Sequence, residues 1–241
     1  MKLRGIFAGA VFLAIPLAGS APARAANVDL ALVLAIDVSS SVNEERFQLQ
    51  TRGYAAAFRN PLVADAIAQG PEGAIAVTYV HWAGYGQFQQ VLDWTVLSER
   101  ADVERFGSAI AETSRTLTGS TSVSGAIDFS ARLLRNAGHN ARRQVIDISG
   151  DGMNNQGRLA STARDQAVAA GITINGLPIL TEEPALDTYY QDHVIGGPGA
   201  FLVVAEDFES FAAAILNKLL TEIAGDRWAP DTVLPVSSAY D

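Results

Sequence analysis

The sequence contains no cysteine, and this absence removes several classes of chemistry at once. Disulfides, zinc–thiolate sites, iron–sulfur clusters and thiol nucleophiles are all excluded. The stability of the folded chain is therefore expected to come from a packed core. The composition supplies the material for one, since 49% of the residues are hydrophobic and only 18% are charged.

Basic residues are also scarce. The chain has 17 Lys and Arg against 26 Asp and Glu, which gives a formal net charge of −9. The densest basic stretch is "ARRQ" at residues 141–144. Nucleic acids and anionic membrane surfaces are bound through clustered positive charge. We therefore expect no nucleic-acid partner and no binding to an anionic lipid surface.

Short motifs of nucleotide binding and serine hydrolysis are missing. No G-x-G-x-x-G opens a helix after a strand, and no Walker lysine is present. No G-x-S-x-G occurs either. The glycine-rich "GGPG" at residues 196–199 precedes a strand pattern rather than a helix, so it is typical of a turn.

The first 25 residues have the pattern of a secretory signal peptide. Lys2 and Arg4 precede an apolar run over residues 6–17, and Ala23-Arg24-Ala25 fits the A-x-A cleavage pattern. A membrane anchor is the alternative, but the run is shorter than the roughly 20 residues that a spanning helix needs. We expect export to the periplasm or the medium, with no membrane insertion after cleavage.

The remaining chain alternates between strand and helix patterns. The aliphatic run "VDLALVLAIDV" at residues 28–38 is typical of a strand buried on both faces of a parallel sheet. Strands at residues 73–84 and 87–97 are separated by two residues, so only an antiparallel hairpin can join them. Further strands are expected at residues 142–152, 172–180 and 200–207, and helices at residues 44–60, 99–115, 158–171, 185–194 and 208–225. Residues 117–138 are expected to form a glycine- and hydroxyl-rich loop that leads into another helix.

This order predicts an α/β fold: a doubly wound, mostly parallel six-stranded sheet with one antiparallel edge strand and helices on both faces. We expect a signal peptide at residues 1–25, one domain at residues 26–225 and a loosely attached or disordered tail at residues 226–241.

Three polar loops follow strands or lead into helices on one side of this sheet. They lie at residues 37–41, 118–122 and 149–155. In open α/β sheets, ligands bind beyond the carboxyl ends of the strands. Asn154 and Asn155 in the last loop are expected to cap the following helix, and His81 is expected to pack in the core or at an edge.

The first loop predicts a metal site. Alternate residues of an extended segment point the same way, so Asp37, Ser39 and Ser41 can converge. A carboxylate with hydroxyls is a hard-oxygen set suited to Mg²⁺ or Mn²⁺. Because Mg²⁺ prefers about six oxygens, Thr121 and Asp151 from the other two loops are expected to supply or order the rest.

These residues resemble a known family. "DVSSS" at residues 37–41 is similar to the D-x-S-x-S motif of von Willebrand factor type A (vWA) domains, which have a Rossmann-like fold. "GST" at residues 119–121 resembles their threonine loop, and "DISGDG" at residues 147–152 resembles their strand that ends in Asp-Gly. The resemblance extends over residues 28–225, and Ser149-Gly150 is smaller than the family usually has before the aspartate.

The resemblance implies a strand order of 3-2-1-4-5-6 and a metal-ion-dependent adhesion site (MIDAS). Asp37, Ser39, Ser41 and Thr121 would coordinate the cation directly or through water, and Asp151 would act through water. The open position would accept a carboxylate from a protein partner. Within the family, the chain looks most like small exported bacterial members of unassigned function.

Two alternatives remain open from the sequence. One is a metal-dependent phosphoester hydrolase on a related α/β sheet, although such enzymes commonly have a second aspartate where this chain has Ser39. No Lys, His or third acid lies within the three loops to act as a general base, so we expect no enzymatic activity. The other alternative is a scaffold that binds no metal.

Overall fold

The computed structural model describes residues 25–225 and the backbone of residues 234–235. The predicted signal peptide, apart from Ala25, lies outside the described residues. So does the predicted tail, apart from a two-residue strand at Leu234–Pro235.

The described strands form one sheet in the order β3-β2-β1-β4-β5-β6-β7. The first six have the predicted order, with β3 antiparallel to β2 at one edge and the other pairs parallel. At the opposite edge, β7 adds an antiparallel pairing to β6 that the sequence analysis did not include. The strands are β1 (Asn27–Asp37), β2 (Ile75–Trp82), β3 (Phe88–Leu97), β4 (Asn140–Gly150), β5 (Thr173–Pro178), β6 (Phe201–Leu202) and β7 (Leu234–Pro235).

Helices cover both faces of the sheet, as predicted for a doubly wound fold. One face packs against α1, α3 and α7, and the other against α4, α5 and the π-helical turn that follows α6. The helices are α1 (Glu44–Arg59), α2 (Pro61–Ala68), α3 (Arg100–Ala111), α4 (Val123–Arg135), α5 (Ala160–Ala169), α6 (Leu186–Tyr189) with the π-helical turn Tyr190–Val194, and α7 (Phe211–Ala224).

The central strand β1 shows why its sequence is aliphatic on both faces. Leu30, Leu32 and Leu34 pack into the hydrophobic cluster on one face of the sheet, while Ala31 and Val33 pack into the cluster on the other. Successive side chains of a strand point to opposite faces, so a strand between two helical layers needs apolar residues at every position.

One helix was missed and one predicted boundary was wrong. The first helix ends at Arg59, as predicted from Asn60-Pro61, but Pro61 begins a second helix, α2, with the side chain of Asn60 accepting a hydrogen bond from the Leu62 backbone. Proline is well suited to this place, because the first helical N–H has no intrahelical partner. The last strand was expected over residues 200–207, but β6 is a strand only over Phe201–Leu202, with an isolated parallel bridge from Ala205 to Ile179 beyond it.

The prediction for His81 was confirmed. Its side chain is fully buried, and its ring lies edge-on between those of Phe47 and Tyr79. Burial lowers the pKa of His81 to about 4, so the ring is neutral at physiological pH and packs as an aromatic core residue.

No helix among the described residues is both long enough and apolar enough to pass through a membrane.

Candidate metal centre

The first polar loop begins where β1 ends, at the carboxyl edge of the sheet. The Val38 backbone N–H donates to the Trp82 carbonyl, so pairing with β2 continues one residue beyond β1. The Ser39 backbone N–H then turns back and donates to Asp37 Oδ1 at 2.7 Å. Gln50 of α1 donates to the Asp37 carbonyl at 3.2 Å. The Asp37 side chain is fully buried and fixed in orientation by its own loop.

Hydroxyl groups connect this loop to the end of β4. Ser41 Oγ donates to Asp151 Oδ1 at 2.6 Å, and Ser39 Oγ lies 3.1 Å from Ser41 Oγ. Asp151 follows the last residue of β4, and β4 pairs in parallel with β1. Parallel pairing brings the two strand ends to the same edge, which places both carboxylates at one site.

The threonine loop closes the site from the side of α4. The Ser40 N–H donates to the Gly119 carbonyl at 2.8 Å, and Asn155 Oδ1 accepts from the Thr121 N–H at 2.9 Å. Ser39, Ser41 and Thr121 line the same open cavity of about 380 Å³. The structure thus brings together all five residues that the sequence analysis proposed: Asp37, Ser39, Ser41, Thr121 and Asp151.

The two carboxylates are short of hydrogen bonds. Asp37 Oδ2 and Asp151 Oδ2 are buried and accept none. Burial, with the nearby charge of Asp151 added, raises the pKa of Asp37 to about 8 against the hydrogen bonds from Ser39. Burial also raises the pKa of Asp151. Two buried acids with unsatisfied oxygens are costly unless a proton or a cation neutralises them.

The donor set suits a hard cation. Among the described residues, no group of three or more His, Cys, Asp or Glu side chains is placed to hold a metal. A cation at this edge would therefore rest on two carboxylates and on hydroxyl oxygens, with water completing the shell. This chemistry fits Mg²⁺ or Mn²⁺ and does not fit a soft metal.

Sequence reasoning did not identify Arg46 or Glu182 as neighbours of the site. Arg46 Nη1 donates to the Ser41 carbonyl at 2.8 Å and lies 3.7 Å from Asp151 Oδ2. Glu182 Oε1 lies 2.5 Å from the same nitrogen and forms an ion pair with it. The guanidinium lowers the pKa of Asp151, and Glu182 opposes it. A separation of 136 positions in the chain left no sequence signal for this pair.

The predicted roles of Asn154 and Asn155 were wrong in one respect. They were expected to cap the helix that follows them, but α5 has no side-chain cap. Asn154 Oδ1 instead accepts from the Ser124 N–H at 2.9 Å, in the first turn of α4. Together with the bond from Thr121 to Asn155, this contact ties the third polar loop to the second.

The small residue before Asp151 has a steric explanation. A Cβ atom on Gly150 would lie 2.9 Å from Asp37 Oδ2 and 3.1 Å from the Tyr190 hydroxyl. Asp37 Oδ2 is one of the two oxygens left without a donor. Glycine at this position therefore leaves room for the carboxylate to face the site.

We expect Gly150→Ala to lower the free energy of unfolding by about 1–3 kcal/mol, because an added methyl in a packed site forces its neighbours to shift. Chemical denaturation measures the loss. Tyr190→Phe removes one of the crowded atoms, so the double variant should recover part of it. Equal stability of Gly150→Ala and the wild type would contradict this account of the glycine.

Comparisons with known proteins agree with the fold. Among solved structures, proximal thread matrix protein 1 from the mussel byssus, with a zinc-occupied MIDAS motif, aligns with TM-score 0.53 and 16% identity over 82% of this chain and 46% of that one. A von Willebrand factor type A protein from Catenulispora acidiphila gives TM-score 0.52 and 14% identity over 83% and 43%. Manganese-loaded TRAP from Plasmodium vivax gives 0.51 and 13% over 79% and 73%.

These likenesses establish the vWA fold. The chain spans less than half the length of the mussel and Catenulispora proteins, so what those whole proteins do is not transferred with the fold. A search of curated proteins by sequence found no match. A family model described as "Protein of unknown function (DUF1194)" matches residues 27–227. The chain has the fold of a von Willebrand factor type A domain and belongs to the DUF1194 family.

Proposed function

We propose that this protein is an exported binding module that holds a divalent cation, Mg²⁺ or Mn²⁺, and uses it to bind an acidic side chain of a protein partner. Asp37, Ser39, Ser41 and Thr121 would coordinate the ion directly or through water, and Asp151 would act through water. The observation that carries the proposal is the pair of buried carboxylate oxygens, Asp37 Oδ2 and Asp151 Oδ2, that accept no hydrogen bond.

The charge at the site supports a cation. Asp37 and Asp151 together carry two negative charges when ionised, and a divalent ion would neutralise both. Ser41 Oγ already donates to Asp151 at 2.6 Å, which leaves its lone pairs available to a metal ion. The hydroxyls of Ser39 and Thr121 line the same cavity.

The open side of the site supports a ligand from outside. The cavity lined by Ser39, Ser41 and Thr121 opens to the surface. Two carboxylates would neutralise the charge of a divalent cation without filling all of its coordination positions. An open position would accept an anionic oxygen, and a carboxylate is the side-chain group that supplies one. Two of the solved structures with this fold hold a metal ion, zinc in the mussel protein and manganese in TRAP.

Binding is favoured over hydrolysis. The charged side chains that act on Asp151 are Arg46 and Glu182, and these are engaged in an ion pair with each other. A metal-assisted hydrolase would need a base or nucleophile placed beside the ion. The fold neighbours described as a pilus adhesin and a thread matrix protein also support a binding role.

A Mn²⁺ titration followed by electron paramagnetic resonance tests the metal step. We expect one bound ion per chain, and binding at least about 10-fold weaker in Thr121→Ala, because removal of an oxygen ligand or its ordering hydroxyl typically costs this much affinity. Ser120→Ala changes the neighbouring loop residue and is the matched control. Equal affinity in wild type and Thr121→Ala would contradict the assignment.

A capture experiment tests the partner step. The purified chain is immobilised on a support in a buffer that contains Mg²⁺ and is exposed to bacterial envelope proteins. We expect it to retain a protein that EDTA releases. The Thr121→Ala variant should not retain that protein. Amidation of the carboxyl groups in the envelope extract should abolish capture. Capture that survives EDTA or amidation would contradict a carboxylate ligand on the metal.

A further inference from the structure

The chain uses lysine in an unusual place. It contains only two lysines, Lys2 and Lys218, against 15 arginines. Lys218 lies on the inner face of α7 and has no exposed surface. Lysine is almost never fully buried unless it is paired, because removing an ammonium group from water is costly. Its surroundings therefore need an explanation.

Two buried carboxylates contact the Lys218 amine. Its Nζ lies 2.7 Å from Asp147 Oδ1 on β4 and 2.5 Å from Glu222 Oε1, one turn further along α7. The side chains of Lys218 and Asp147 have no exposed surface, and neither does that of Glu222. Asn175 of β5 donates to the same Glu222 oxygen at 3.2 Å.

The rest of the environment is apolar. The Lys218 amine lies 5.4 Å from the centre of the Phe201 ring. Its neighbours along the inner face of α7, Ile215 and Leu219, belong to the hydrophobic core. Among the described residues, the ion pairs of the Lys218 amine are those with Asp147 and Glu222.

The cluster is poorly satisfied as a set of ions. Two carboxylates face one amine, and both oxygens of Asp147 and one of Glu222 accept no well-formed hydrogen bond. Burial raises the pKa of Asp147 to about 7; the charge of Glu222 adds to the rise, and Lys218 opposes it. A neutral, protonated Asp147 beside an amine is the pair of reactants from which an amide forms.

We propose that Lys218 and Asp147 are joined by an intramolecular isopeptide bond, formed with the help of Glu222. The evidence is the arrangement itself: an amine in contact with a carboxyl group, a second carboxyl group touching the same amine, and complete burial of all three in an apolar layer.

The step balances in atoms and charge. Proton transfer within the cluster leaves Lys218 as a neutral amine and Asp147 as a neutral acid. The amine nitrogen attacks Cγ of Asp147, and Glu222 accepts a proton from that nitrogen and returns it to the departing hydroxyl. One N–C bond forms, one C–O bond breaks, and one water molecule leaves; no oxidant, metal or further reactant takes part.

Burial also favours the product. In water, the ionised amine and carboxylate are strongly solvated, which opposes condensation. In the core this solvation is lost at a cost of several kcal/mol per ion, so two buried charges are replaced by one neutral amide. The new N–H would remain within reach of the Glu222 carboxylate.

The bond would give a cysteine-free chain a covalent cross-link. It would join the central strand β4 to the last helix of the domain and enclose the chain between residues 147 and 218. β4 ends at Gly150 and is followed directly by Asp151, so the cross-link would also fix the strand that positions this carboxylate of the candidate metal site.

Mass spectrometry of the intact, denatured wild-type protein tests the proposal without any variant. We expect a mass lower by one water molecule than that of the sequence. Trypsin should fail to cleave after Lys218 and should release a branched peptide that joins residues 144–158 to the segment containing Lys218. A mass equal to that of the sequence, together with normal cleavage after Lys218, would overturn the proposal.

Two conservative variants test the roles within the cluster. Glu222→Gln keeps the shape of the side chain but cannot accept the proton, so the full mass and cleavage after Lys218 should return. Asp147→Asn keeps an electrophilic carbonyl, so the isopeptide bond to Lys218 should still form, with loss of ammonia in place of water. A wild-type mass loss mapped to any residue pair other than Lys218 and Asp147 would also overturn the assignment.

Discussion

Adding Mg²⁺ or Mn²⁺ at about 100 times its dissociation constant should raise the melting temperature of the purified protein by about 5–10 °C. A ligand that binds only the folded state stabilises it by about 2.7 kcal/mol at that excess. For a domain of this size, each kcal/mol moves the melting temperature by about 2–4 °C. Differential scanning fluorimetry with and without EDTA measures the shift.

The sign of the pH dependence follows from Asp37. Its pKa rises from an ordinary value of 3.8 to about 8 in the folded protein without metal. Between these values the folded state holds a proton that the unfolded state has released, so stability without metal falls as the pH rises. A cation competes with that proton, and the thermal shift should therefore be larger at pH 8 than at pH 5.

Asp37→Asn provides the matched variant. Asparagine keeps the oxygen that accepts from the Ser39 N–H but carries no charge. In EDTA at pH 8, the variant should melt above the wild type, and it should show no shift with the cation. Asp93→Asn, at an exposed position on β3, controls for the change in net charge. Equal shifts in Asp37→Asn and wild type would contradict a metal site at this residue.

The fold was accessible from the sequence because each strand carries its own pattern. The double-sided aliphatic run of β1 and the short link between β2 and β3, which is five residues in the structure, determine a parallel centre and an antiparallel edge. The helix starting at Pro61 was missed because a proline was taken as a stop signal, whereas Asn60 caps a new helix. The pairing of Leu234–Pro235 with β6 has too few residues to give a periodic signal.

The candidate site was only partly accessible. Asp37, Ser39 and Ser41 lie in one loop with a spacing of two, so their convergence follows from local geometry. The ion pair of Arg46 with Glu182 depends on how the first turn of α1 meets a distant loop, which local patterns do not encode. The second and third polar loops are tied together by asparagines that were assigned to a different helix.

The buried cluster on α7 had a sequence signal that was not used. The inner face of the last helix was predicted from its apolar residues, among them Ile215, Leu219 and Ile223. Lys218 and Glu222 lie at helical spacing on that same face, three residues after Ile215 and one before Ile223. Two charged residues on an apolar stripe indicate a buried pairing, but the partner on β4 becomes visible only when the helix is packed on the sheet.

Removing the lysine should have the largest effect on stability of any single change discussed. Lys218→Met keeps the length and apolar stem of the side chain but leaves Asp147 and Glu222 buried without a cation. Leaving buried carboxyl groups without their partner costs about 3–5 kcal/mol, because an uncompensated charge remains in the core. Loss of the proposed covalent link would add to this cost. Urea denaturation should show a loss of at least this size.

The loss in Lys218→Met should depend on pH with a definite sign. In Lys218→Met, Asp147 is a free buried acid: burial and the charge of Glu222 raise its pKa, and the amine that would oppose them is absent. The folded variant then holds protons that the unfolded chain releases, so its stability falls as the pH rises from 5 to 8. Replacing all three groups with apolar residues, as in Asp147→Leu, Lys218→Met and Glu222→Met together, should recover part of the stability and remove this slope. A Lys218→Met variant as stable as the wild type, or one whose stability does not change over that interval, would show that Lys218 does not compensate the two buried carboxyl groups.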